Sequence, residues 1–323
     1  MTQKKLKDLD FVDLYVCIEG DEPPHYSTSV AVKGVTKYPN ITLDAEYSED
    51  VEQLIQHIFS FRYADISMIN YDGVRLRTAT IATANGQKWV ALRKVKDLPP
   101  AIDTLGFPPN LLPHLKKLGR RSGLILLCGA TGQGKTTTCC SLLNDYMENY
   151  GGIAFTIEDP VEYNLAGRRG ENGYCYQVEV HEDHEWAEML QRSLRCHPKY
   201  IFIGEVCTPD AANQLLRAAT SGHLVIATVH AGSLQEGLEG LLQLAEQVIG
   251  HRAQQLLASS LSAVIYQTLG ELGLATSSIL VDLGTQGPAI RNLIRENRIG
   301  QIVSFIDKQH AILSQGTDPS VKV

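Results

Sequence analysis

Residues 129–136 read GATGQGKT, a G-x-x-x-x-G-K-T spacing set between an apolar run, GLILLC, and a helix-like stretch, CCSLLNDYMENY. Glycines at this spacing let the backbone N–H groups of Gly129, Ala130, Thr131, Gly132, Gln133 and Gly134 turn towards one point, where they cradle phosphate oxygens. Lys135 then reaches the β- and γ-phosphates, the Thr136 hydroxyl ligates Mg²⁺, and Thr137 follows in the first helical turn. The helix that begins near Lys135 adds the positive end of its dipole to the same anion site. The expected ligands are ATP and Mg²⁺. This loop alone does not separate a motor from a kinase or a switch.

Hydrolysis needs a carboxylate near the γ-phosphate to orient or deprotonate water. YIFIGEV (200–206) leads out of an apolar strand to Glu205, and FTIEDPVEY (155–163) ends another with Glu158 and Asp159. Carboxylates at strand ends of a phosphate-loop domain face the carboxyl edge of the sheet, where ligands bind in such folds. His223 and His230 bracket a further apolar strand, GHLVIATVHAG. The spacing leaves two readings of each open: a hydrogen-bonded structural imidazole, or a group that senses the γ-phosphate from the nucleotide edge. His181 and His184 in HEDHEWAEML lack the i, i+4 histidine pair of a zinc helix and read as a solvated helix start.

These groups need elements to hold them. The chain has 323 residues, 44% hydrophobic, enough for two domains with cores of their own. Residues 1–97 form a small α+β domain: DLYVCIE, STSVAVKG (27–34), ADISMIN (64–70), GVRLRTATIAT and QKWVALRKV cluster β-formers, and SEDVEQLIQHIFSF (48–61) is helical. Ser48 is its expected N-cap, with Val51, Leu54, Ile55 and Ile58 on one face. Residues 98–110, rich in proline, read as an exposed linker. From 111 to 323 strands and helices alternate. GLILLCG, IAFTIED, KYIFIGEV and HLVIATVH are near-continuously apolar, as parallel strands buried on both faces must be. The pattern is doubly wound α/β with a parallel sheet. Beyond residue 240 it turns mostly helical, HRAQQLLASSLSAVIYQTLGEL (251–272) being the clearest helix, and 314–323 read as a disordered tail.

The net charge of −7 gives no global field for nucleic acid. The densest basic stretch, HLKKLGRRSG (114–123), reads as a solvated helix. The seven cysteines include no C-x-x-C pair, which suits buried thiols in a reducing compartment. With no apolar segment behind the charged N-terminus and no span of apolar residues long enough for a bilayer, the chain reads as cytoplasmic.

At this point the residues resemble a family. GATGQGKT, the acidic TIEDPVEY, YIFIGEV and SGHLVIATVHAG occur in the order found in the secretion-superfamily ATPases, the motors of type IV pili, type II secretion and conjugation. The resemblance runs from about residue 10 to 305. It implies a RecA-like ATPase core behind a PAS-like domain, with Glu205 in the place of the catalytic glutamate. DGVRLR and WVALRKV are similar to the family's arginine-bearing strands. Arg75, Arg77 and Arg93 thereby become candidates to neutralise charge on the transferring phosphate. Arg192 and Arg195 fall where the family carries basic residues, and PAIRNLIREN (288–297) matches a motif of pilus-retraction motors. The resemblance further implies a homohexamer that drives an inner-membrane platform protein from the cytoplasmic side, with no direct role for nucleic acid. Three departures stand out: Cys207 and Thr208 replace the usual arginine and aspartate after Glu205, His197 replaces an aspartate, and the four-cysteine zinc site of extension motors is absent. The absent zinc site favours the compact, retraction-like or conjugation-like branch, while the lost arginine after Glu205 keeps a regulatory paralogue open. The alternatives are an ATPase of a related type II, type IV or conjugation apparatus, a DNA translocase, and an ATP-binding regulatory paralogue.

Overall fold

The computed structural model describes residues 4–28, 40–60, 68–270, 273–283 and 285–314. The strand read at 27–34, the first part of the one at 64–70 and the tail at 314–323 lie largely outside them. The chain divides into two compact units, Met1–Lys96 and Asp97–Val323. In the first, strands β1 (Asp13–Glu19), β2 (His25–Ser27) and β3 (Asn40–Thr42) are followed by helix α1 (Ser48–Phe59). Strands β4 (Met68–Tyr71), β5 (Val74–Ala82) and β6 (Lys88–Lys94) complete an antiparallel sheet of order β3-β2-β1-β6-β5-β4. The apolar stripe Val51, Leu54 and Ile58 of α1 joins Leu14, Val16, Leu76, Val90 and Leu92 in one core. Ser48 is not the cap expected of it: it lies inside the helix, and its hydroxyl donates to the Ala45 carbonyl at 2.7 Å. Asp50 is buried and accepts from the Leu6 N–H, Lys5 Nζ and Tyr71 Oη. Burial raises its pKa, but these donors outweigh it and hold the carboxyl below its ordinary range.

The second unit runs α2 (Leu112–Leu118), β7 (Gly123–Gly129), α3 (Lys135–Tyr150), β8 (Gly152–Glu158), β9 (Gly167–Arg169), β10 (Gly173–Glu179), α4 (Asp183–Ser193), β11 (Tyr200–Ile203), α5 (Pro209–Thr220), β12 (Leu224–His230), α6 (Leu234–Ile249), α7 (Arg252–Ser260), β13 (Leu261–Gly270), β14 (Gly273–Leu280), α8 (Gly287–Arg295) and α9 (Ser304–Ser314). Its eight-stranded sheet has the order β14-β13-β7-β12-β11-β8-β10-β9. The strands from β13 to β10 in that order are parallel, while β14 and β9 add antiparallel edges. The sheet is therefore mixed, with the expected parallel strands at its centre. Leu124, Leu126 and Cys128 of β7 face one core with α5, α6, α7 and α8; Ile125 and Leu127 face the other with α2 and α3. Burial on both faces is why these strands read as unbroken apolar runs.

Two expectations are corrected. The stretch 98–110 is not an exposed linker throughout, since Ile102 and Phe107 are buried in the core against α3. The helix read over 251–272 stops at Ser260, and residues 261–270 form β13, paired to β7 on one side and β14 on the other. Its run LSAVIYQ is buried on both faces, and periodicity alone does not distinguish such a strand from a buried helix. The open edge of β7 decides it. Among the described residues no helix is long and apolar enough to cross a membrane.

Helix α6 lies so close to β7 that a Cβ added at Gly237 would sit 2.3 Å from Cys128 Sγ, whereas one at Gly240 meets nothing within 4 Å. Alanine gains about 0.5–1 kcal/mol over glycine in a helix interior, but overpacking costs about 1–3 kcal/mol. We predict that Gly237→Ala destabilises and Gly240→Ala stabilises, as read by chemical denaturation of the two variants.

Candidate active site

Parallel strands put their carboxyl ends at one edge, and the chemistry collects there. His230, the last residue of β12, is in register with Gly129, the last of β7. From there the chain turns through the phosphate loop into α3. Gly132 and Gly134 have φ of +77° and +75°, in the left-handed region that costs glycine nothing. Helix α3 begins without a capping side chain, so its first N–H groups remain available to an anion. Lys135 is buried, and its Nζ donates to the carbonyls of Gly129 at 2.8 Å and Ala130 at 2.9 Å. Burial lowers its pKa, and the nearby charge of Glu205 opposes that shift.

His230 joins the loop to the neighbouring strand. Its Nδ1 lies 3.3 Å from Lys135 Nζ and its Nε2 lies 3.2 Å from Glu205 Oε1. Lysine can only donate, so Nδ1 accepts, and the ring proton on Nε2 is directed to the carboxylate. The His230 ring thus bridges the phosphate-loop lysine and Glu205. Thr131 Oγ1 lies 3.5 Å from the same Nδ1. Glu205 follows β11 by two residues and is held by its neighbours: Thr228 Oγ1 donates to the Gly204 carbonyl at 2.5 Å, and the Val206 N–H donates to the Thr228 carbonyl at 3.0 Å.

Glu158 ends β8 beside this group, in contact range of Gly204. It is 1% exposed, and burial pushes its carboxyl up to about 7. Gln177 of β10 is the organising partner. Its Nε2 donates to Glu158 Oε1 and to the Tyr163 carbonyl, both at 3.0 Å, while its Oε1 accepts from the N–H groups of Leu165 and Ala166. Tyr163 Oη in turn lies 3.0 Å from Thr137 Oγ1, which ties the acidic segment to the first turn of α3. Asp159 is exposed. The Thr136 hydroxyl and the two glutamates are hard oxygen donors that suit Mg²⁺. Among the described residues no cluster of His, Cys, Asp and Glu forms a metal cage.

A model of the family described as "Type II/IV secretion system protein" matches residues 65–295, more than half of the chain. The chain belongs to this family. It is 35% identical over 209 residues to the type IV pilus retractation ATPase PilT of Pseudomonas aeruginosa, an overlap of 62% of this chain and 58% of that one. It is 32% identical over 206 residues to a twitching motility protein of Neisseria gonorrhoeae, covering 62% of this chain and 53% of that one. The chain thus spans little more than half the length of these relatives. The crystal structure of a pilus retraction motor PilT with bound ADP has the same fold, with a TM-score of 0.70 and 26% identity over 95% of this chain and 90% of that one.

Against this family background, not every expected residue joins the site. His223 precedes β12 at the opposite edge of the sheet, about 20 Å from His230 at strand rise, and its Nδ1 lies 2.6 Å from the Pro198 carbonyl. The structure does not bring it to the phosphate loop. Arg75, Arg77 and Arg93 belong to the first unit, where Arg77 and Arg93 are cross-strand partners. Arg93 makes a two-pronged bond to Asp13, Nε to Oδ1 at 2.6 Å and Nη2 to Oδ2 at 3.0 Å. Arg192 and Arg195 are exposed, Arg192 pairing with Glu188. Thr208, one of the departures from the family pattern, caps α5 by accepting from the Ala211 N–H at 3.2 Å. Cys139 and Cys140 are wholly buried, and burial pushes their thiols well above the ordinary range. Gln177 and Tyr163 were not singled out in the sequence; the alternation in GYCYQVE was the available signal for β10.

Glu158 gives a pH test. Its folded-state pKa of about 7 lies above the ordinary 4.5, so between these values the folded state keeps a proton that the unfolded chain has released. Glu158 then costs stability progressively as pH rises through that window, on the order of 3 kcal/mol once ionised. Glu158→Gln is expected to remove this slope. Denaturation of the nucleotide-free protein at pH 5 and pH 8 should show wild type losing stability relative to the variant at the higher pH.

Proposed function

We propose that this chain is the ATP-hydrolysing subunit of a ring motor that powers type IV pilus dynamics of the retraction kind. The observation that carries this reading is the unbroken link Lys135–His230–Glu205 at the mouth of the phosphate loop. It joins the residue that would hold the β- and γ-phosphates to the carboxylate that would orient water. A nucleotide arriving at the loop draws Lys135 from the Gly129 and Ala130 carbonyls to the phosphates, and His230 loses its donor on Nδ1. His230 and Glu205 then reorganise together, so that the water-orienting group responds to occupancy of the loop. Thr136 would hold Mg²⁺, which supplies charge neutralisation on the phosphates. Glu158, buried beside Glu205 and braced by Gln177, adds a second carboxyl whose proton tunes the local field. Positive charge for the transition state would come from Arg75, Arg77 and Arg93 of the first unit, a PAS-like domain in this reading.

The energy of hydrolysis would move subunits, a reading that the PilT retraction ATPase relative and the retraction motor with bound ADP support. Copies of the chain would form a homohexamer on the cytoplasmic side of the inner membrane and work on a platform protein there.

The expected result is ATP turnover by the purified oligomer that DNA does not stimulate and that Glu205→Gln lowers by at least about a hundredfold. ATP binding without turnover in wild type would replace the motor with a regulatory paralogue. Strong stimulation by DNA would replace it with a translocase.

A further inference from the structure

The antiparallel pair β13–β14 does more than close the sheet. At its end nearest the phosphate loop, Gln267 Nε2 donates to the Gln133 carbonyl at 2.7 Å. Gln133 answers with its own side chain, whose Oε1 accepts from the Leu269 N–H at 2.5 Å. Each glutamine thus grips the other's stretch of backbone. The packing is tight here as well. A Cβ on Gly129 would lie 2.6 Å from the Gln267 carbonyl oxygen, and one on Gly134 would lie 3.5 Å from Gln267 Nε2. Gln267 is 1% exposed, and its Oε1 has no hydrogen-bond partner among the described residues. An unpaired buried acceptor costs stability, so the bond from Nε2 to the Gln133 carbonyl is the favourable polar contact of this side chain.

The donor fixes a peptide plane. Because the 133–134 peptide is planar and trans, holding the Gln133 carbonyl against β13 forces the Gly134 N–H to point the opposite way, away from β13. Gly134 N–H is one of the loop donors expected to meet phosphate. The strand pair can hold this orientation because its far end is also fastened: Leu280 N–H donates to Gln309 Oε1 and Gln309 Nε2 donates back to the Leu280 carbonyl, each at 2.8 Å.

We propose that Gln267, with the Leu269 N–H, is a positioning element for nucleotide: the end of β13 sets the phosphate-binding shape of the loop before ATP arrives. This rests on the ATPase reading above. The grip never touches the reacting atoms, and it acts on ATP and ADP alike.

The test uses Gln267→Met and Gln133→Met, which keep side-chain length and remove the donor or acceptor. Each is expected to raise the KM for ATP, and the dissociation constants of ATP and ADP in parallel, by about two- to tenfold, the worth of one net hydrogen bond. The fall in kcat/KM should come through KM, with kcat changed much less, which marks lost uniform binding. A merely structural role would instead lower the thermal midpoint of the nucleotide-free protein and leave nucleotide affinity unchanged in the folded fraction. Wild-type affinity in both variants, or a loss confined to kcat, overturns the proposal. Should Gln267→Met not fold, Gln133→Met decides alone, and wild-type affinity there overturns it. A wild type that binds no ATP overturns the functional reading and this one together; a wild type that binds normally beside unaffected variants overturns only this one.

Discussion

The second unit depends on one constraint: β7 is buried on both faces and paired on both edges. Leu124, Leu126 and Cys128 enter one core, Ile125 and Leu127 the other, while β12 and β13 take its backbone hydrogen bonds. Such a strand cannot slide by one residue without exchanging two cores. Its end at Gly129 is therefore fixed, and with it the point at which the phosphate loop begins. The parallel neighbours inherit the same edge, so residues far apart in the chain arrive together. Glu158, Glu205 and His230 converge because β8, β11 and β12 run parallel to β7 and lead to the same end of the sheet.

Electrostatics then shape what the edge can do. A lysine buried to 7% exposure is tolerated because two loop carbonyls, His230 and the charge of Glu205 surround it. A glutamate buried to 1% exposure meets the opposite situation: burial outweighs the hydrogen bonds its carboxyl receives and pushes it up to about 7. Two carboxyls a strand apart thus differ in character through environment alone: Glu205 is partly exposed beside His230, Glu158 buried and bonded by Gln177. The same physics leaves Cys139 and Cys140 as packing groups, since a thiolate has no place in that core.

The first unit is built on a different plan, an antiparallel sheet with helix α1 packed on one face. Its core was legible from β-forming runs and the stripe on α1. Its arginines were named together from the family resemblance, but which of them share a face was not legible until pairing was known. Arg77 and Arg93 are opposite each other on one face because β5 and β6 pair in that register, and Arg93 spends its fork on Asp13.

The sequence by itself determined whatever depends on neighbours within a turn or a strand. The phosphate loop is of this kind: its glycines, lysine and threonine act within eight residues, and no distant contact is needed to recognise the turn. The core strands were equally legible, since burial on two faces writes an apolar run. The tertiary structure alone decided what depends on partners distant in sequence. It separated His230, at the loop, from His223, at the other edge, although both flank one strand. It turned 261–270 from helix to strand, because β7 offered an edge to pair with. It also gave Gln177, Tyr163 and Gln267 their roles, for an amide or a hydroxyl has no character until its partners are known. Backbone turns and apolar periodicity are local properties of a chain, whereas hydrogen-bond partners at the end of a sheet are set only when the strands have been ordered.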